Sequence, residues 1–205
     1  MSYEFEIVHK RILKKCLPYN YLSNQVKFNG IIKLKSPQID FFSFFCKTII
    51  SQQISDKVAK TIWLRFCNSL NKKNPCLSDF PQKKKLLSRL SEIRISNQKS
   101  NYICIMYDSI KKGNIDINKL KFLSDEKIKD KLLAFKGVGN WTCDIILIFF
   151  LLRKNIFPHQ DLVIKKTTER ICQIEGKEIN FREIFSPYLS IFSLHLWKMA
   201  KRILQ

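Results

Sequence analysis

Residues 39–55 read IDFFSFFCKTIISQQIS, and Phe42, Phe45, Cys46, Ile49, Ile50 and Gln53 recur there at intervals of three and four. That spacing lays them along one face of a 3.6-residue helix and leaves no two-residue alternation for a strand. The pattern returns along most of the chain. Asp40 lies near the start of this first helix, and Asp56 is placed to cap a second that runs through Leu70. Pro75 and Pro81 bracket a loop, KKKLLSRLSEI continues the helical rhythm, and a further helix from about Asn97 to Lys112 stops at Gly113. Ser124 caps a helix to Phe135 with acids in its first turn. Then come Asn140 to Lys154, a helix opening at Asp161, and SPYLSIFSLHLWKMAKRIL, where Pro187 suits an early helical position. Strand signals are confined to the first 35 residues at most. The fold class is therefore all-α, without internal repeats, and 205 residues suffice for one compact domain or two closely joined lobes.

The charge balance limits the partners. Thirty-seven Lys and Arg against 17 Asp and Glu give +20, which points to a polyanion. Basic residues run from Lys10, Arg11, Lys14 and Lys15 through Lys83, Lys84 and Lys85 to Lys165 and Lys166, so the charge belongs to a folded surface rather than a tail. A lysine-biased composition, in step with the many Ile and Asn, is the alternative account. The seven cysteines are scattered, with no C-x-x-C, and read as reduced, mostly buried thiols of a cytosolic protein. The start, MSYEFEIVHKRILKK, has acids and no continuous apolar run, so it does not read as a signal peptide. Ile145 to Leu152 is too short to span a bilayer, which takes about 20 residues.

Of only five glycines, two flank one valine in LLAFKGVGNW, between two helical patterns. A short loop of this kind can turn its backbone amides and the next helix N-terminus outward to hold a phosphate. It can equally be a tight turn with Gly137 as a helix C-cap. Spacing does not separate the two readings; the +20 charge favours phosphate.

LLAFKGVGNWTCDIILIF resembles the hairpin of the helix-hairpin-helix DNA glycosylases, and IFPHQDLVIKK their catalytic-aspartate segment. IISQQISDKVAKTIWLRF resembles the double-Gln helix entry of the 3-methyladenine DNA glycosylase II branch, and SPYLSIFSLHLW is similar to its closing helix. The four segments span roughly residues 39–200 in the family's order. The resemblance implies two helical lobes flanking a DNA-binding cleft within one domain over residues 1–205. That domain would comprise an N-terminal segment 1–38, central helices at about 39–155 with the hairpin at 136–140, and C-terminal helices at about 156–205 completing the cleft. Lys136 stands where the family usually has Pro, and Leu189 where an Arg is common. The sheet domain of some relatives does not fit into 38 residues.

The activity implied is hydrolytic removal of alkylated purines such as 3-methyladenine from double-stranded DNA. Breaking an N-glycosidic bond builds positive charge on the sugar, so a carboxylate near the anomeric carbon stabilises the transition state and orients water. Asp161 is the candidate; its local context alone reads as an ordinary N-cap, and the two roles are compatible. The base must first leave the stack. An alkylated purine is cationic and is drawn to an aromatic face. Trp141 and Trp197 match family positions lining that pocket, with core packing as the alternative for each, and Leu162 stands where some relatives have a Tyr. Trp141 also occupies the position at which bifunctional members carry a Schiff-base Lys, which implies a monofunctional enzyme without lyase activity.

DNA contacts are assigned to Lys136, Gly137, Val138, Gly139 and Thr142 of the hairpin and to Gln52, Gln53 and Asn97. Gln53 reads rather as hydrogen-bonded inside the helical interface; IRISNQKSNYI resembles the family's intercalating loop, with Asn97 about where a wedge sits and Ile95 nearby, and reads as readily as a helix N-terminus capped by Ser96 or Asn97. No iron–sulfur cluster is expected, since no cysteine follows Cys172, and His159 and His195 have no metal-spaced partners. A loosely held monovalent cation at the hairpin is implied by the resemblance only. The expected state is a monomer in the cytoplasm, nucleoid-associated if bacterial, without membrane contact. A mismatch or oxidised-base glycosylase of the same fold, and a non-catalytic DNA-holding module, are the alternatives.

Overall fold

The computed structural model describes residues 2–204, which form α-helices joined by short loops, with no strand among them. The chain divides into two compact units, one made of Met1–Lys35 and Leu147–Gln205, the other of Ser36–Ile146.

The first unit begins with α1 (Ser2–Cys16) and α2 (Asn20–Asn29), in the region where sequence pattern left room for strands. The apolar residues there, Ile12, Cys16, Leu22 and Val26, are fully buried and keep helical spacing. The second unit holds α3 (Phe41–Ser51), α4 (Asp56–Ser69), α5 (Lys83–Glu92), α6 (Asn97–Lys111), α7 (Ile117–Leu120), α8 (Asp125–Leu133) and α9 (Asn140–Ile145). Returning to the first unit, the chain forms α10 (Leu162–Glu175), α11 (Phe181–Phe185) and α12 (Leu189–Ile203).

Several of these helices start after short polar side chains that accept orphan first-turn amides. Asp40 caps α3 through Ser43 N, Ser124 caps α8, and Ser55, not Asp56, caps α4. In the second unit α3 packs against α4, α6 and α9. Its core holds Phe42, Phe45, Ile49, Phe66, Leu86, Leu90 and Ile103, with the Phe42 and Phe80 rings edge to face at 4.7 Å. In the first unit α10 and α12 pack on each other and on α2, and the Phe185 and Phe192 rings stack at 3.6 Å.

Two expectations are corrected. The helix expected to reach Lys154 ends at Phe150, after a π-helical turn over Ile146–Phe150. Leu152 then takes a left-handed conformation (φ 57°) and Arg153 N closes back onto Leu147 O, so the backbone reverses where apolar periodicity would have carried it on. Pro187 lies before Tyr188, the N-cap of α12, following a cis peptide bond, and not in the helix's first turn.

Candidate active site

The glycine hairpin joins α8 to α9. Gly137 has φ +87°, a conformation that L side chains rarely adopt, and an added Cβ there would lie only 2.0 Å from the Tyr102 ring. Two independent constraints thus demand glycine. Gly139 differs: its backbone is extended, and a Cβ would meet nothing within 4 Å. It is the exposed N-cap of α9, whose first amides have no acceptor within their own helix. Lys136 is exposed beside it. The side chains of Val138 and Thr142, expected on the DNA side, are turned inward at 7% and 1% exposure, and Val138 N is taken by Phe135 O.

What fills the inner side of the hairpin is Gln52. Its Nε2 donates to Gly137 O and to Thr142 Oγ1, each at 3.0 Å. The internal hydrogen bonding read for Gln53 falls instead to Gln52. Gln53, in phase with the buried stripe, is exposed at φ +57° because α3 ends at Ser51, while Gln52 makes the internal bonds. Ile54 beside it is an exposed apolar side chain at a turn. Lys99, from the first turn of α6, donates to Ile50 O at 2.9 Å and Gln52 O at 2.7 Å, and burial holds its ammonium below the usual lysine range. Asn97 is exposed in the same first turn, behind the Ser96 cap, whereas Ile95 is buried at 6% and closed to any ligand. Sequence reasoning missed Ile54, Lys99 and Tyr102; an apolar residue following a helix's last turn was the signal available for Ile54.

Asp161 is the N-cap of α10. Pro158 O accepts its amide at 2.9 Å, and its Oδ1 accepts Val163 N at 3.0 Å and Ile164 N at 2.9 Å. A third donor reaches the same oxygen, Trp197 Nε1 at 3.1 Å, from α12. Three donors on one oxygen fix the carboxylate's orientation. Asp161 as a residue is 9% exposed, while Leu162 and Val163 next to it are open to solvent at 71% and 42%. Trp197 is half-buried, its ring against Phe149 at 5.6 Å, so its indole supports the carboxylate as well as offering a face. Trp141 is half-buried on α9, in the other unit.

His159 is exposed, and His195 is sealed in the first unit. The His195 ring stacks on His9 at 5.5 Å, and its Nδ1 lies 3.2 Å from Asn29 Nδ2. Among the described residues no group of three or more His, Cys, Asp or Glu could hold a metal ion. Five of the seven cysteines are buried and all are free thiols.

Residues 46–187 match the family described as HhH-GPD superfamily base excision DNA repair protein. The Bacillus subtilis protein YfjP is 28% identical over 171 residues, covering 78% of this chain and 60% of its own length. DNA-3-methyladenine glycosylase 1 of Schizosaccharomyces pombe is 27% identical over 165 residues, 76% of this chain and 70% of that one. This chain thus spans under two thirds of the bacterial relative. The solved structure of the Schizosaccharomyces pombe 3-methyladenine DNA glycosylase Mag1, in complex with abasic DNA, superposes with a TM-score of 0.73 at 21% identity, covering 93% of this chain and 96% of that one.

Proposed function

From the chain's membership of the HhH-GPD superfamily of base excision DNA repair proteins, we propose that it is a monofunctional DNA N-glycosylase that removes alkylated purines such as 3-methyladenine. The observation that carries this is the Asp161 carboxylate, held by three N–H donors on one oxygen beside the exposed Leu162. A carboxylate fixed in this way faces developing sugar cation without reorganising during the reaction.

The division of labour follows the chemistry of each part. Exposed Gly139 and the first-turn amides of α9 grip a phosphate, with Lys136 adding charge, and this grip reads no sequence. The turn at Gln53 and Ile54, braced against the hairpin through Gln52, enters the space that a flipped base leaves, with Asn97 as a neighbouring polar contact. Within the first unit the indole face of Trp197 and the apolar Leu162 receive the flipped cationic base; Trp141 on α9 offers an aromatic face of its own unit. Asp161 stabilises the sugar cation and orients the attacking water. A monovalent cation at the hairpin would take second lone pairs of exposed loop carbonyls such as that of Gly139 and would add positive charge toward the phosphate; no step depends on it. The partner is duplex DNA carrying alkylated bases, and the protein acts as a monomer. The names of its relatives favour alkylated purines over oxidised or mismatched bases.

The test is base release from methylated, oxidised and mismatched duplexes by the purified protein. Free 3-methyladenine with an intact strand, cleaved only by later alkali and giving no borohydride-trapped adduct, is the expected result. A trapped adduct, or release confined to oxidised or mismatched duplexes, would overturn the reading.

A further inference from the structure

The hairpin and the Gln53 turn are both held from behind by the first turns of α6. Tyr102 covers Gly137, and Lys99 donates to two carbonyls at the C-terminal end of α3. Those carbonyls are among the four that a helix end leaves without partners. On either side of this tie stand non-glycine residues in the left-handed region, Gln53 at φ +57° before α4 and Arg94 at φ +63° before α6. Such conformations persist only where the surroundings over-determine them.

We propose that Lys99 is a positioning residue for excision: its ammonium clamps the end of α3 and thereby presents the Gln53–Ile54 turn to the DNA stack. Lys99 itself touches neither base nor sugar in this account. It is 2.7 Å from Gln52 O, and Gln52 in turn bonds the hairpin, so one ammonium holds the turn in register with the phosphate grip. The lowered lysine pKa is the cost of withdrawing the charge from water for this purpose. The inference rests on the glycosylase reading above.

The test uses the full chain and a duplex with a tetrahydrofuran abasic analogue beside 2-aminopurine, whose fluorescence rises on unstacking. Lys99→Met is expected to keep affinity for undamaged duplex within about twofold, since phosphate contacts remain. It should lose about tenfold or more in single-turnover base release, as small misplacements of positioning groups do, together with most of the 2-aminopurine rise. Lys99→Arg should recover both, because a guanidinium also donates to two carbonyls. Ile54→Ala should show the same losses, and adding Lys99→Met to it should change little, as for two residues acting through one element. Should Lys99→Met melt below the assay temperature, Lys99→Gln, which retains one donor group, carries the same comparison. If wild type releases no base, the functional reading has failed, while the 2-aminopurine response still decides the clamp. Release by Lys99→Met at the wild-type rate with an undiminished 2-aminopurine rise, or losses that simply add to those of Ile54→Ala, would overturn it.

Discussion

At Asp161 the observed capping and the proposed catalytic role share one carboxylate, and a conservative substitution separates them. Asn accepts first-turn amides as well as Asp does, so Asp161→Asn should leave thermal stability nearly unchanged while single-turnover excision falls by about 10²–10⁴-fold. Excision at the wild-type rate would remove Asp161 from the reaction. The two hairpin glycines make a matching pair. Gly137→Ala forces a side chain into a left-handed φ against Tyr102, costing about 1–3 kcal/mol for the backbone alone, and should lower the melting temperature. Gly139→Ala meets open space and should leave stability within about 0.5 kcal/mol, yet weaken damaged and undamaged duplex alike by obstructing the phosphate. Binding titrations and melting curves on both variants check this; a Gly139→Ala protein that binds like wild type would mean the loop faces no phosphate.

Helix α12 carries two different polar contacts on separate faces. Trp197 on one face bonds Asp161, and His195 on another packs against α1 and α2 through His9 and Asn29. Burial first, then the charges of His9 and Lys198, push the His195 pKa down to about 3. The folded protein therefore keeps this imidazole neutral, whereas the unfolded chain binds its proton near the ordinary value of about 6.5. The stability that follows is fully present above pH 6.5 and is lost as pH falls from there toward 3, by about 1.4 kcal/mol per pH unit. His9, whose pKa burial also lowers, acts in the same direction. Chemical denaturation at pH 7 and pH 5 should show this loss, and His195→Asn should flatten it; an unchanged slope in the variant would assign the loss elsewhere.

For the molecule as a whole the governing quantity is a net charge of +20. Each phosphate neutralised adds about 0.9 to the slope of log affinity against log salt. Binding to undamaged duplex should therefore fall steeply as salt rises, while single-turnover release from DNA already bound, a step at the sugar, changes little. A flat salt dependence in a filter-binding or anisotropy titration would mean that the charge does not serve DNA.

Sequence by itself marked most of the helices beyond residue 39, because 3.6-residue periodicity and short polar caps act within one turn; Asp40, Ser124 and Asp161 stand at starts that local chemistry marked, whereas α1 and α2 lie where the pattern left room for strands. It also marked the glycine pair and the aspartate segment, since both are contiguous. It did not determine which glutamine faces inward, since that depended on α3 ending two residues before Gln53. Nor did it reveal that Gly137 is required by Tyr102, 35 positions earlier in the chain, or that Lys99 closes α3 across 49 residues of sequence. Only the tertiary structure decided these, because a steric contact or a buried ammonium needs its partner brought close in space, and no local pattern records the distance between residues that are far apart along the chain.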